Sequence, residues 1–125
     1  MNQPIEVYND GSQIRCFTYI SDTVEGTVAA MSHTTNGLAY NIGSEFSITI
    51  LELAHKIRQI AGSSSPIIFV PYEQAYGSGY EDMAVRIPDI TRSRNLLHYN
   101  PTVSLDDGLQ KSIDWFRQQL QEGRL

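Results

Sequence analysis

Met83-Ala84-Val85-Arg86-Ile87-Pro88-Asp89-Ile90-Thr91-Arg92-Ser93-Arg94-Asn95-Leu96-Leu97-His98-Tyr99 sets the architecture of the chain, and Asn100-Pro101 to Trp115-Phe116 completes it. Pro88 pushes Ile87 toward an extended backbone, so the approach to it is not helical. Asp89 is suited to cap a helix over Ile90 to His98, because its carboxylate accepts free amides of the first turn. Pro101 cannot continue that helix and ends it. Ser104 then caps a second helix, about Leu105 to Leu120, with Asp106 and Asp107 in its positively polarised first turn. Leu105, Leu109, Ile113, Phe116 and Leu120 form one stripe of it, and Trp115-Phe116 reads as core.

Upstream, Ile5-Glu6-Val7-Tyr8 alternates as a short strand, Asn9-Asp10-Gly11 is a turn signal, and Ile14 to Ile20 is a second extended run. A hairpin is the simplest arrangement of the three. Ser21-Asp22 is expected to cap a helix from Thr23 to Ser32, closed by Asn36-Gly37, with Val24, Val28 and Met31 on one face and Ala29 and Ala30 permitting close packing. Leu38 to Gly43 reads as a strand. Ser47 or Thr49 caps a helix over Ile50 to Ala61, stopped by Gly62, and Pro66 to Pro71 brackets a short apolar strand. Tyr72 to Met83, with Gly77 and Gly79, reads as an ordered loop. Short strands and about four helices alternate in one α/β domain, residues 1–125, with no linker or repeat.

The chain has 125 residues and a net charge of −5, so it buries a modest core and lacks the basic surface that nucleic acid requires. One cysteine, Cys16, excludes an internal disulfide and fits a reducing compartment. No apolar run reaches the length of a membrane span and no signal peptide opens the sequence, which predicts a cytoplasmic protein. His33, His55 and His98 lack metal-ligand spacing with one another or with Cys16, so no metal site is expected. Asp22, Asp89, Asp106 and Asp107 read as helix caps rather than acid/base pairs. Gly77-Ser78-Gly79 lacks the Lys-Ser/Thr of a phosphate-binding loop.

Three segments in register resemble one family. Val7-Tyr8-Asn9-Asp10-Gly11-Ser12-Gln13-Ile14-Arg15 through Asp22 is the first, and Tyr40-Asn41-Ile42-Gly43 the second. The third runs Pro71-Tyr72-Glu73-Gln74-Ala75-Tyr76-Gly77, Tyr80-Glu81-Asp82-Met83 and Arg86-Ile87-Pro88-Asp89. They resemble the C-terminal part of the extended short-chain dehydrogenase/reductases, the NAD-dependent nucleotide-sugar epimerases and dehydratases. The resemblance implies the substrate-binding part of that fold without its Rossmann half. It implies that Arg15 and Arg86 grip the diphosphate of a UDP- or dTDP-sugar and that Asn41 contacts the nucleotide. It also implies that the strand at Tyr40 to Ile42 extends the sheet of the absent nucleotide-binding domain.

Guanidinium forks suit a diphosphate better than lysine does. Gln13, two residues before Arg15, shares its side of the strand and could touch the same ligand; Tyr19 is equally a core residue or a contact. Taken alone, Arg15 and Arg86 would be solvated surface charges and Asn41 a turn former; the register changes that weighting. Ala84 and Val85 stand where family members often carry basic residues, which implies a less positive site. NAD is implied for the whole family protein, yet the chain lacks the glycine-rich dinucleotide turn, and none of its tyrosines has a lysine four positions later. Neither catalysis nor a cofactor is therefore expected of this chain alone. The rival expectation is a protein-interaction or dimerisation module, because uncovered helix faces and a strand edge favour self-association.

Overall fold

The structure is a computed structural model and describes residues 3–32 and 37–124. Its elements are β1 (Ile5–Tyr8), β2 (Ile14–Cys16), α1 (Ile20–Ser32), β3 (Ser47–Thr49), α2 (Ile50–Ile60), β4 (Ile67–Val70), α3 (Tyr72–Tyr76), α4 (Thr91–Leu97) and α5 (Leu105–Gln121). The α/β class is as the sequence implies, but the strand pairing is not.

The expected hairpin does not form. β1 pairs in parallel with β4, Ile5 opposite Ile67 and Tyr8 opposite Val70. β2 pairs antiparallel with β3, Ile14 opposite Thr49 and Cys16 opposite Ser47. The turn between β1 and β2 is present, with φ of 55° at Asn9 and 72° at Gly11. It points the chain at α2 instead of back along β1. The Leu51 amide donates to the Gly11 carbonyl and the Ile50 amide to the Gln13 carbonyl, each at 3.0 Å. Groups that a hairpin would have used are thus committed to the first turn of α2. Gly11 is required by space as well as by φ, since a Cβ there would sit 2.6 Å from Val7 Cγ1 and 2.9 Å from Leu51 Cβ.

α2 starts where Thr49 and Glu52 form a capping box: the Thr49 hydroxyl accepts from the Glu52 amide at 3.1 Å, and the Glu52 carboxylate accepts from the Thr49 amide at 3.0 Å. Those bonds hold the Glu52 carboxyl below its usual range. Ser47, the alternative cap, is in β3 instead. α5 begins at Ser104, whose hydroxyl accepts from the Asp107 amide at 3.1 Å. Asp106 does not cap; it pairs with Lys56 Nζ at 2.7 Å and ties α5 to α2. Trp115 and Phe116, expected in the core, are each 53% exposed, whereas Leu105, Leu109 and Ile113 of the same helix are half-buried.

α1 begins three residues earlier than expected, at Ile20. Asp22 is not its cap. It is buried and reaches across to accept from the Val103 amide at 3.0 Å, with the Thr102 hydroxyl at 3.4 Å, fixing the chain between α4 and α5. The inner face of α1 brings Ala29 and Ala30 against buried Ile90, Leu97 and Tyr99, with Tyr40 and Ile42 alongside. Burial pushes the Tyr99 phenol up, and the Asp22 and Glu25 carboxylates push it further. Asn36, proposed to end the helix, lies outside the described residues.

The strand expected at Leu38 to Gly43 joins no ladder among the described residues. Its carbonyls are taken by side chains instead: Arg92 Nη1 donates to Ala39 O at 2.7 Å and Ser93 Oγ to Asn41 O at 2.5 Å. The segment Tyr72 to Met83 is not wholly a loop, since Tyr72–Tyr76 makes the short helix α3.

Candidate functional site

Three segments distant in sequence meet at one open cleft of about 480 Å³. β2 brings Arg15 and Cys16, the extended segment after α1 brings Asn41 to Ser44, and the approach to α4 brings Arg86 to Pro88. The link between the first and third is backbone. The Ile14 amide donates to Ala84 O at 2.8 Å, and the Arg86 amide donates to Ile14 O at 3.1 Å, so residues 84–86 lie parallel to β2. The second segment is pulled in by α4. Asn41 Nδ2 donates to the Asp89 carbonyl at 2.9 Å, while the Asp89 carboxylate accepts the Thr91 amide at 2.9 Å. Asp89 thus engages the helix from one position earlier than a standard cap, because Ile90 and not Asp89 precedes the first helical residue. Its carboxyl is held below its usual range by those Thr91 hydrogen bonds, with a smaller contribution from Arg92 and Arg94.

Two guanidinium groups and no carboxylate line the cleft. Arg86 is exposed, and its side chain has no partner among the described residues. Arg15 is different. Its Nη2 lies 2.5 Å from Asp82 Oδ2, and its Nη1 donates to its neighbour's carbonyl, Ile14 O, at 2.8 Å. Asn41 has its amide donor committed to Asp89, and its carboxamide oxygen is left to accept. Burial pushes the Cys16 thiol up, with the Glu45 carboxylate adding to the shift.

The other two candidate residues lie elsewhere. Gln13 shares the side of β2 that Arg15 uses, but it faces a second cavity, roofed by Tyr72, Tyr76 and Tyr80. Tyr19 lies in a groove against α5, where a Cβ on Gly108 would come 3.3 Å from its ring and Lys111 Nζ stands 5.2 Å from the ring centroid. Asp82 was missed as a partner of Arg15. It was visible only as part of the Tyr80-Glu81-Asp82-Met83 signature, and nothing in the sequence joins positions 67 residues apart.

The chain is similar to known proteins in sequence and in fold. Residues 1–43 match the family described as the NAD dependent epimerase/dehydratase family. The UDP-N-acetyl-alpha-D-glucosaminuronate decarboxylase of Bacillus cytotoxicus is 47% identical over 112 residues, 90% of this chain and 35% of that protein. The solved UDP-glucuronic acid 4-epimerase of Bacillus cereus, in complex with UDP-glucuronic acid and NAD, superposes with a TM-score of 0.81 at 35% identity, covering 94% of this chain and 36% of the other. In sequence and in fold, the chain is related to the C-terminal portion of the extended short-chain dehydrogenase/reductases. The UDP-glucose 4-epimerase of Thermotoga maritima, solved with UDP-glucose, agrees at a TM-score of 0.84 and 26% identity over 95% of this chain and 36% of its own. This chain thus spans about a third of the length of these proteins.

Among the described residues, Gly43, Gly77 and Gly79 do not form the strand–turn–helix cradle that a dinucleotide takes. Gly77 and Gly79 have open space around them, but they sit between α3 and Asp82 and not between a strand and a helix N-terminus. Gly43, which does follow an extended segment, faces Pro88, whose Cγ would lie 3.3 Å from a Cβ there. No helix among the described residues is long and apolar enough to cross a membrane.

Proposed function

We propose that this chain is the substrate-binding portion of an NAD-dependent nucleotide-sugar epimerase/dehydratase, with the cleft gripping the diphosphate of a UDP- or dTDP-sugar. The observation that carries the reading is the meeting of Arg15, Asn41 and Arg86 on one cleft with no carboxylate in its wall. A diphosphate presents anionic oxygens in planar arrays, which two guanidinium forks can hold from opposite sides, while Asn41 accepts from a ribose or sugar hydroxyl. Relatives solved with UDP-glucuronic acid or UDP-glucose support a uridine nucleotide as the occupant. The chemistry of the whole protein, with NAD as hydride acceptor, belongs to residues other than those of this cleft, and the isolated chain is a binder without turnover.

Calorimetric titration of the chain with UDP, dTDP, UDP-glucose and NAD tests this. UDP or its sugar is expected to bind and NAD is not. Arg86→Ala weakens binding by about 1.5–3 kcal/mol, the range for a charge-assisted hydrogen bond. Nucleotide affinity that is indifferent to both Arg15→Ala and Arg86→Ala removes the diphosphate reading, as does turnover of UDP-glucose with NAD by this chain the claim that it is non-catalytic.

A second reading, a dimerisation or interaction module, is favoured by the outer stripe of α1, where Ile20, Val24 and Met31 are exposed. Sedimentation velocity discriminates: association with increasing concentration, lost in Val24→Asp with Met31→Lys while UDP affinity is unchanged, supports it.

A further inference from the structure

Arg15 forms the wall between two cavities. On one side is the open cleft; on the other is a space of about 170 Å³ under the segment that runs from α3 to Asp82. That segment is held down by rings. Tyr76 and Tyr80 stack with centroids 4.4 Å apart, Tyr72 meets Tyr80 edge-on at 5.5 Å, and Tyr8 of β1 meets Tyr76 edge-on at 5.3 Å. Beneath them, the Gln13 side-chain amide donates to the Tyr8 carbonyl and to the Tyr72 hydroxyl. The Tyr72 hydroxyl in turn lies 3.4 Å from the Asp82 carboxylate, and Asp82 ends the run on Arg15. Gly77 and Gly79, with φ of 89° and 82°, break the backbone midway and have nothing within 4 Å of a hypothetical Cβ.

We propose that Asp82 acts as an internal anion that occupies Arg15 in the free chain, and that the strap of residues 71–82 is released when a diphosphate takes the guanidinium. The inference rests on the diphosphate reading of the cleft. The Arg15–Asp82 pair is largely withdrawn from solvent, with side chains 15% and 23% exposed, so it is more than a solvated surface contact. Two of the five guanidinium N–H groups are spent on Asp82 and Ile14 O, which leaves an incoming ligand only part of the fork. A diphosphate carries at least two negative charges against the single charge of Asp82, and so competes well for the same donors. Once Arg15 turns to the cleft, Asp82 retains one long hydrogen bond from Tyr72. A half-buried carboxylate left so poorly partnered is driven to water, and the two glycines allow the strap to follow.

The test compares the 125-residue chain with Asp82→Asn, which keeps the shape and removes the charge. UDP and inorganic pyrophosphate are titrated into both, and amide hydrogen exchange is followed across residues 72–82. Asp82→Asn is expected to bind both anions about tenfold tighter, as befits loss of a competing charge. It should also exchange faster across 72–82 without ligand, and UDP should raise exchange there in the unsubstituted chain. Binding of UDP with the same or lower affinity in Asp82→Asn overturns the proposal and leaves the diphosphate reading standing, because Asp82 would then orient Arg15 and not compete for it. Absence of UDP and pyrophosphate binding by both proteins removes both.

Discussion

Helices α1 and α2 both carry apolar residues at helical spacing, and they use them in opposite ways. α2 turns Ala54 and its neighbours inward against β1, β3 and α5, begins at a capping box, and ends at Ala61 followed by Gly62 in the left-handed region. α1 packs its small residues, Gly26, Ala29 and Ala30, onto the Ile90–Leu97–Tyr99 core and turns Ile20, Val24 and Met31 to solvent, Met31 at 81% exposure. The period of a helix tells which residues share a face. Whether that face is the inside of the fold depends on what stands opposite, and Ile20, Val24 and Met31 of α1 are left exposed.

The sharpest way to break this contrast is to charge both helices. Ala54→Asp places an unpartnered carboxylate at a buried position and is expected to cost at least about 3 kcal/mol in urea unfolding. A tolerated Ala54→Asp would show that α2 is no more central than α1. Next is the inner side of α1. Gly26→Ala puts a methyl group 2.7 Å from Ile42 Cγ2 and 2.9 Å from the Tyr99 ring, and the overpacking is expected to lower stability by about 1–3 kcal/mol. Thr49→Ala removes the N-cap of α2, an effect of about 1 kcal/mol on thermal unfolding. The cap also carries a pH signature. Because the native Glu52 carboxyl lies below its unfolded value, its contribution is present above the unfolded carboxylate range and is lost as pH falls through the lowered native value. Thr49→Ala flattens that acid limb of the stability profile. The smallest effect belongs to the outer stripe: Val24→Asp changes the stability of this chain by no more than about 0.5 kcal/mol, measured in the same urea titration as Ala54→Asp.

Much of the helical framework was legible because its signals are local. Thr49, Ser104, Pro88 and Pro101 each act within a few residues, and the observed bounds of α2, α4 and α5 fall within about a residue of the spans expected from such signals. The strand pairing was not legible. Asn9-Asp10-Gly11 announces a turn, but the partner of β1 lies in β4 and that of β2 in β3, a strand of only three residues. Asp22 misleads for a similar reason, since its place in the first turn of α1 suggests a cap while its real partners are Thr102 and Val103.

At the cleft, Arg15, Asn41 and Arg86 were singled out by their register with a family and not by any local property. Gln13 follows Arg15 onto one side of β2, yet a neighbouring cavity begins there, which alternation along a strand cannot reveal. Tyr19 faces Gly108 of α5, a contact set by tertiary packing alone.

The parallel pairing of β1 with β4 has a consequence for how the chain comes into being. As residues emerge from a ribosome, Ile5 and Val7 have no ladder to join until Ile67 to Val70 follow, about sixty residues later. A hairpin would have closed almost at once. In its place the nascent chain carries both edges of β1 open through the synthesis of α1 and α2, a window in which a chaperone, or another unfinished copy, meets the edge that β4 covers in the finished fold.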